Sequence, residues 1–94
     1  MTAFVYMLRC ADGSYYVGST RHSLDLRMAQ HNHGTFDGYT ARRRPVLLVY
    51  HEAFQQITDA IAAERQLKGW SRAKKEALIQ GDIAALRALA RGKR

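Results

Sequence analysis

The fold is decided by residues 4–18, which read FVYMLRCADGSYYVG. The run from Phe4 to Leu8 is apolar throughout, with β-branched and aromatic members, and this is typical of a strand covered on both faces. Ala11-Asp12-Gly13-Ser14 is a turn signal, and Tyr15-Tyr16-Val17 is typical of a returning strand. The chain is therefore expected to begin with a β-hairpin whose first strand is buried.

The length of the hairpin loop determines which side chains share a face of the sheet. If the loop is residues 11–13, with Gly13 in the left-handed conformation, Cys10 pairs with Ser14. Tyr6 then lies opposite Gly18 and Tyr16 lies opposite Leu8, so both tyrosines share one face and Gly18 leaves space beside Tyr6. A two-residue loop would put the tyrosines on opposite faces. Tyrosines in strands are usually core or interface residues, so the pair alone says little about catalysis.

Caps and breakers predict the remaining elements. Ser23 begins a helix over Leu24–Asn32 that Gly34 ends; a loop follows over residues 34–45, and then a strand over Val46–Tyr50. Thr58 is the predicted cap of a helix through Lys68, ended by Gly69; Ser71 begins a helix through Gln80, and a last helix covers Ile83–Ala90. The order β-β-α-β-α-α, with one further helix, predicts an α/β (α+β) sandwich in which helices flank a small sheet.

Ninety-four residues are enough for one domain with one modest core. We expect residues 1–80 to form the main unit and residues 81–94, a helix and a basic tail, to belong to the same domain. Cys10 is the only cysteine, so no internal disulfide is expected, and it is interpreted as a small buried hydrophobe. No segment resembles a signal peptide or reaches membrane-spanning length, which predicts a cytoplasmic protein with no membrane partner.

The charge is unevenly distributed along the chain. The net charge is +7; residues 1–64 hold six Lys/Arg against six Asp/Glu, whereas residues 65–94 hold nine against two. A balanced front half and a basic rear half suggest a reaction module joined to a surface that holds a polyanion. The alternative is a solvated helical face followed by a frayed tail.

Glu64 is the polar residue most at odds with its helical position. At about 100° per residue, Ile57, Ala60, Ile61 and Leu67 cluster in one arc, and Glu64 falls near its middle. A carboxylate on a core-facing stripe is costly unless it is paired. Two interpretations remain open: a buried salt bridge, with Arg27 as the candidate partner, or a metal ligand at the floor of a cleft.

The first helix shows the same feature. Leu24 and Met28 define its apolar side, and Arg27 and His31 project from that side, one turn apart. The alternative for Arg27 is a stem that lies along the core and a head that reaches water.

In this order and spacing, Tyr6, Tyr16-Val17-Gly18, Arg27, His31 and Glu64 resemble the GIY-YIG nuclease superfamily. The wider matches resemble its small single-domain bacterial subfamily, over about residues 3–80; they are residues 8–14, 29–32, 44–46 and 71–76. The resemblance implies a central three-stranded antiparallel sheet and metal-dependent hydrolysis of a phosphodiester bond.

Roles are carried over by the same resemblance. Tyr6 and Tyr16 would be the cleft tyrosines, Arg27 would hold the scissile phosphate, His31 would assist proton transfer and Glu64 would bind the metal. Phe4-Val5-Tyr6 stands where the name-giving Gly-Ile-Tyr would be. Asn32 is the only asparagine, so the late asparagine of many family nucleases has no counterpart.

A single carboxylate is enough for Mg²⁺ or Mn²⁺, because Mg²⁺ keeps most of its waters and takes one or two protein ligands. Arg27 can direct two donors onto non-bridging phosphate oxygens. Tyr6 with His31 is interpreted as the base assembly and Tyr16 as the group that orients water or phosphate, although the two tyrosines can exchange these roles.

Basic side chains outside the cleft are predicted to bind nucleic acid. They are Arg42, Arg43, Arg44, Lys68, Arg72, Lys74 and Lys75. Trp70 is interpreted as a core anchor in preference to a base-stacking residue.

The leading functional hypothesis is an endonuclease-type enzyme in DNA repair or processing, with DNA favoured over RNA and a monomer by default. The alternatives are a nucleic-acid-binding module with weak or no catalysis, and an adaptor that docks a larger repair protein through the Ala/Leu-rich last helix.

Overall fold

A computed structural model describes residues 2–34 and 38–91. The strands are β1 (Ala3–Arg9), β2 (Tyr15–Thr20) and β3 (Leu47–Phe54). The helices are α1 (Leu24–His33), α2 (Ile57–Lys68), α3 (Arg72–Gln80) and α4 (Ile83–Arg91). The predicted order of elements is confirmed. None of the described helices is long and apolar enough to cross a bilayer.

The three strands form one antiparallel sheet in the order β2-β1-β3. Gly13 has a φ of 84°, and the backbone N–H of Cys10 donates to the carbonyl of Ser14 at 2.8 Å. Tyr6 lies opposite Gly18, and Leu8 lies opposite Tyr16. The three-residue hairpin loop is thus confirmed, and with it the placement of both tyrosines on one face.

Strand β1 is central, and each of its faces belongs to a separate core cluster. Val5 and Met7 pack with Val17 of β2 and Leu67 of α2. On the other face, Tyr6 and Leu8 pack with a set to which α1 contributes; its members are Cys10, Tyr16, Leu24, Met28, Val46 and Leu48. Cys10 is buried, as predicted. The sheet therefore separates α1 from α2, with β2 as the edge strand between them.

Strand β3 differs most from its predicted bounds, because strand pairing continues further along the chain than the apolar pattern does. Strand β3 begins at Leu47, one residue late, and continues to Phe54, which pairs with Ala3 at the far end of β1. The extra residues of β3 include the polar His51 and Glu52, which pair with β1 residues although they are exposed. Main-chain hydrogen bonds to the buried central strand thus extend β3 beyond its apolar run.

Thr58 is not a helix cap, so that prediction was wrong. Helix α2 begins at Ile57 after Gln56, whose carbonyl accepts from the backbone N–H groups of Asp59 and Ala60. The first turn is therefore already closed before Thr58 could cap it. Ser23 and Ser71 do cap α1 and α3, by accepting from Leu26 and Lys74. Gly34 ends α1 at a φ of 76°. Part of the predicted 34–45 loop, residues 35–37, and part of the basic tail, residues 92–94, lie outside the described residues.

Candidate active site

The site is built around Gly18, because the missing side chain there makes room for Tyr6. A Cβ added to Gly18 would lie 2.5 Å from the Tyr6 Oη and 3.1 Å from the Tyr16 ring. Tyr6 itself is only 1% exposed. Its ring therefore crosses beneath β2 through the gap that glycine leaves.

Helix α1 supplies two partners to the Tyr6 hydroxyl. The Nε of Arg27 donates to the Tyr6 Oη at 3.2 Å, and the His31 Nε2 lies 2.9 Å from the same oxygen. On the other side of its ring, the His31 Nδ1 lies 2.9 Å from the Oγ1 of Thr40. His31 and Thr40 are both buried at 3% exposure. The prediction that Arg27 and His31 project from the core-facing side of their helix is confirmed.

Tyr16 is half-buried, and it lies beside the hydrogen-bonded side chains of Tyr6 and His31. Its ring centroid lies 5.4 Å from that of His31 and 6.4 Å from that of Tyr6. Tyr39 stacks on Tyr16 at 6.2 Å, and the guanidinium of Arg43 lies 3.8 Å from the Tyr39 ring centroid. Tyr16 is thus the more accessible of the two site tyrosines.

Burial keeps both members of the Tyr6–His31 pair neutral. It raises the pKa of Tyr6, although the hydrogen bond and charge of Arg27 act in the opposite direction. Burial also lowers the pKa of His31, and the positive charge of Arg27 adds to this effect. At neutral pH the pair is therefore a phenol bonded to an uncharged imidazole.

Glu64 enters from the other face of the sheet, on α2. Its side chain is 18% exposed. The hydroxyl of Ser19 donates to Oε1 at 2.5 Å, and the Lys68 ammonium lies 2.7 Å from Oε2. A cation that contacts Glu64 is thus Lys68, one turn along the same helix; the salt-bridge interpretation of the sequence had Arg27 as the candidate partner. Ile61, counted in the same apolar arc, is exposed, so Glu64 lies at the margin of the buried stripe.

A hollow of about 370 Å³ connects the two helices across the edge of the sheet. It is lined by Ser19 of β2, by Arg27 of α1, and by Ile57 and Ile61 of α2. Ser19 is both a wall of this hollow and the donor to Glu64. The negative charge of Glu64 is also the smallest of the causes that raise the pKa of Tyr6. Arg27 and Glu64 therefore approach the same edge of β2 from opposite faces.

The predicted phosphate-binding cations differ in how they are engaged. Arg43 donates to Asp12 at 3.0 Å and to the Tyr39 carbonyl, and Arg44 donates to the Ala41 carbonyl, so these two hold their loop together. Arg42 is exposed.

On α3, Arg72 pairs with Glu76 at 3.1 Å and covers the Tyr15 ring. Lys74 lies 4.9 Å from the centroid of the Trp70 ring, and Lys75 is half-buried. Trp70 packs against the cluster that contains Val5 and Met7. Its outer side contributes to an apolar groove of about 310 Å³ with α4, lined mainly by Ile83, Leu86 and Ala90.

Sequence reasoning missed Ser19 and Thr40. A serine next to Gly18 could have been singled out, because strand alternation turns it toward the helix that carries Glu64. Thr40 gave no local signal, since it lies in a loop nine residues from its partner. Asn32 has a structural role: its amide donates to the Val46 carbonyl and accepts from the Val46 N–H at 2.8 Å.

One protein-family model matches most of this chain. The family model described as the GIY-YIG catalytic domain matches residues 2–77. A UPF0213 protein from Bacillus pumilus is 44% identical over 77 residues, which cover 82% of this chain and 78% of the relative. One from Lacticaseibacillus paracasei is 44% identical over 79 residues, which cover 84% and 88%.

Two solution structures share the fold. A UPF0213 protein from Bacillus halodurans is 39% identical, with a TM-score of 0.56 over 87% of this chain and 86% of that one. A protein from E. faecalis is 36% identical, with a TM-score of 0.59 over 86% of this chain and 85% of that one.

Proposed function

Since the chain belongs to the GIY-YIG catalytic domain family, we propose that it is an endonuclease-type enzyme that hydrolyses phosphodiester bonds in nucleic acid. We propose DNA as the substrate, a divalent metal ion, Mg²⁺ or Mn²⁺, as the cofactor, and a role in DNA repair or processing. The observation that carries the proposal is the hollow at the edge of β2, which is lined by Arg27 and by Ser19, the hydrogen-bond donor to Glu64.

The donor set fits a hard divalent cation. Glu64 offers a partly exposed carboxylate, and one of its oxygens already contacts a cation, the Lys68 ammonium. The described residues contain no group of three or more His, Cys, Asp or Glu side chains that could hold a metal. One carboxylate, completed by waters and phosphate oxygens, is a set that Mg²⁺ accepts. When bound at Glu64, the metal would neutralise charge on the phosphate and on the departing oxygen.

Arg27 would bind the scissile phosphate. Its Nε donates to Tyr6, and a guanidinium carries further donors of a geometry suited to non-bridging phosphate oxygens. Because Arg27 lines the hollow, a phosphate that entered it would meet this side chain.

The burial of Tyr6 favours exchanging the two tyrosine roles. A general base must reach the water that it activates, and Tyr6 is almost completely buried, whereas Tyr16 is half-buried. We therefore assign Tyr16 to the attacking water and the Tyr6–His31 pair to the support of Arg27. Lys68 is a cation that interacts electrostatically with Tyr16.

The test is cleavage of a panel of duplex, flap, branched and single-stranded substrates, with Mg²⁺ or Mn²⁺ and with chelator. Glu64→Ala and Arg27→Ala are each expected to abolish metal-dependent cleavage while the circular dichroism spectrum stays unchanged. The matched controls, Asp59→Ala on the same helix and Arg9→Ala, remove exposed charges and should cleave normally. Residual activity equal to wild type in either site variant would contradict the proposal.

A nucleic-acid-binding module without catalysis is the second candidate. It is favoured by the double engagement of Glu64, whose two oxygens contact Ser19 and Lys68. This reading predicts that wild type binds the same substrates, retains them in chelator and leaves them intact with either metal.

A further inference from the structure

The hydrogen bonds of the buried chain Arg27–Tyr6–His31–Thr40 have a direction that follows from donor capacities. A guanidinium N–H only donates, so the Tyr6 oxygen accepts from Arg27. The phenol hydrogen then needs an acceptor, and the His31 Nε2 at 2.9 Å is its hydrogen-bond partner among the described residues. The Tyr6 hydroxyl therefore donates to the His31 Nε2.

This donation fixes the state of the imidazole. A nitrogen that accepts a hydrogen bond carries no hydrogen, so the neutral ring of His31 has its hydrogen on Nδ1. That N–H points at the Thr40 Oγ1, 2.9 Å away in a site where both residues are 3% exposed. Thr40 is thus the acceptor at the far end of the chain.

We propose that Thr40 is a positioning residue of the active site: its hydroxyl accepts the Nδ1–H of His31 and so holds the tautomer that orients Tyr6 toward Arg27. The inference rests on the proposed function for its catalytic meaning, because Arg27 is the group that would meet the phosphate. Thr40 itself touches neither phosphate nor water in this scheme.

The opposite tautomer would disturb Arg27. With its hydrogen on Nε2, His31 would donate to the Tyr6 oxygen and compete there with the Arg27 Nε. The phenol hydrogen would lose its acceptor in a buried site, which is costly. The hydrogen bond that links the Arg27 Nε to the phenol oxygen would then be weakened.

The segment that contains Thr40 also contacts Tyr16, the second tyrosine of the site. Tyr39, the neighbour of Thr40, stacks on Tyr16. Arg43 anchors the loop to Asp12 at the hairpin turn. The segment is therefore tied to the hairpin on both sides of Thr40.

Thr40→Val keeps the shape of the side chain and removes the acceptor, and Thr40→Ser keeps the hydroxyl as the matched control. Long-range ¹H–¹⁵N NMR of the His31 ring reads the tautomer directly. We expect the Nδ1–H form in wild type and Thr40→Ser, and a shift toward the Nε2–H form in Thr40→Val. Cleavage by Thr40→Val should show a kcat lower by about 10- to 100-fold, with KM changed less. This range is taken from residues that orient metal-binding histidines through a hydrogen bond to the second ring nitrogen.

An Nε2–H tautomer in wild type would overturn the inference, and this reading does not depend on whether Thr40→Val folds. A Thr40→Val protein with the wild-type tautomer and the wild-type kcat would also overturn it. Failure of the proposed function is distinguishable, because it appears as no cleavage by wild type. In that case the tautomer in Thr40→Val still decides whether Thr40 orients Tyr6.

Discussion

At Gly18, one absent methyl group gives Tyr6 access to both Arg27 and His31. The phenol oxygen occupies the space that a side chain would fill, and the tyrosine ring is held in place by the buried cluster around Leu8 and Val46. The rotation that would relieve a clash is therefore blocked on the core side. The site consequently depends on glycine for space, because the φ of Gly18 lies outside the left-handed region.

Gly18→Ala should destabilise the fold by about 1–3 kcal/mol, the usual effect of forcing an extra carbon into a well-filled core. Urea unfolding measures this change. Gly69→Ala is the matched control, because the nearest atom to its added Cβ is 3.5 Å away and the backbone is right-handed helical. Its effect should stay within about 0.5 kcal/mol. Equal stability of the two variants would contradict the role given to Gly18.

His31 should make the stability depend on pH. Burial lowers the pKa of the folded imidazole below its ordinary value of 6.5. As the pH falls below about 6.5, the unfolded chain binds a proton that the folded chain does not, so the free energy of unfolding falls. The Tm of wild type should therefore drop more steeply between about pH 7 and pH 5 than the Tm of His31→Gln. Parallel curves for the two proteins would show that His31 is not the group responsible.

At the scale of the element, the helical spacing of α2 brings Glu64 and Lys68 together. Glu64 and Lys68 lie four residues apart on α2, so they are neighbours along one side of the helix, with the acid N-terminal to the base. The hydrogen bond to Glu64 is the main cause of the raised pKa of Lys68, with a smaller effect of Tyr16. Helix α2 therefore carries both the candidate metal ligand and a cation that occupies one of its oxygens.

Removal of that cation should strengthen metal binding. Lys68→Met is expected to lower the Kd for Mn²⁺ by about two- to fivefold, since an exposed ion pair of this kind contributes up to ~1 kcal/mol. Calorimetric titration without nucleic acid measures the change. Arg65→Met, an exposed cation of the same helix with the same loss of charge, is the control. Equal changes in both variants would indicate a general charge effect and not competition at Glu64.

The whole molecule carries a net charge of +7 on 94 residues, and the excess of positive charge lies within residues 65–94. Helix α3 follows directly on α2, so this basic segment continues from the helix that carries Glu64. Electrostatic attraction of this kind is independent of sequence and depends on salt. The affinity for nucleic acid is therefore expected to depend mainly on this basic segment, whereas cleavage is expected to depend on the candidate site residues.

The double variant Lys74→Gln/Lys75→Gln should weaken DNA binding without preventing cleavage at saturating substrate. If both lysines contact phosphates, the slope of log Kobs against log salt should become shallower by about 2, close to 0.9 per contact. Fluorescence anisotropy across a salt series measures this slope. Arg9→Gln, which removes an exposed charge from the balanced half of the chain, should leave the slope unchanged. A double variant with the wild-type slope would remove α3 from the binding surface.

Much of the fold could be predicted because its signals are local. The hairpin register followed from a three-residue loop with Gly13 at its end, and Ser23, Gly34 and Ser71 marked helix ends through contacts within a few residues. Prediction was wrong at Thr58, where backbone bonds to Gln56 close the first turn, and it ended β3 too early. The candidate site residues could be named from their spacing and from the family resemblance, whereas their roles stay predictions.

By itself, the sequence determined which residues alternate, cap and turn, since these depend on neighbours two to four positions apart. It thereby indicated that Arg27 and His31 share a side of α1 and, if the hairpin loop has three residues, that Tyr6 and Tyr16 share a face of the sheet. Only the tertiary structure decided that Ser19 is a partner of Glu64, that Tyr6 is more buried than Tyr16, and that Thr40 contacts His31. Most of these contacts join residues far apart in the chain, and which side chain satisfies a buried polar group depends on three-dimensional distances that no local pattern encodes.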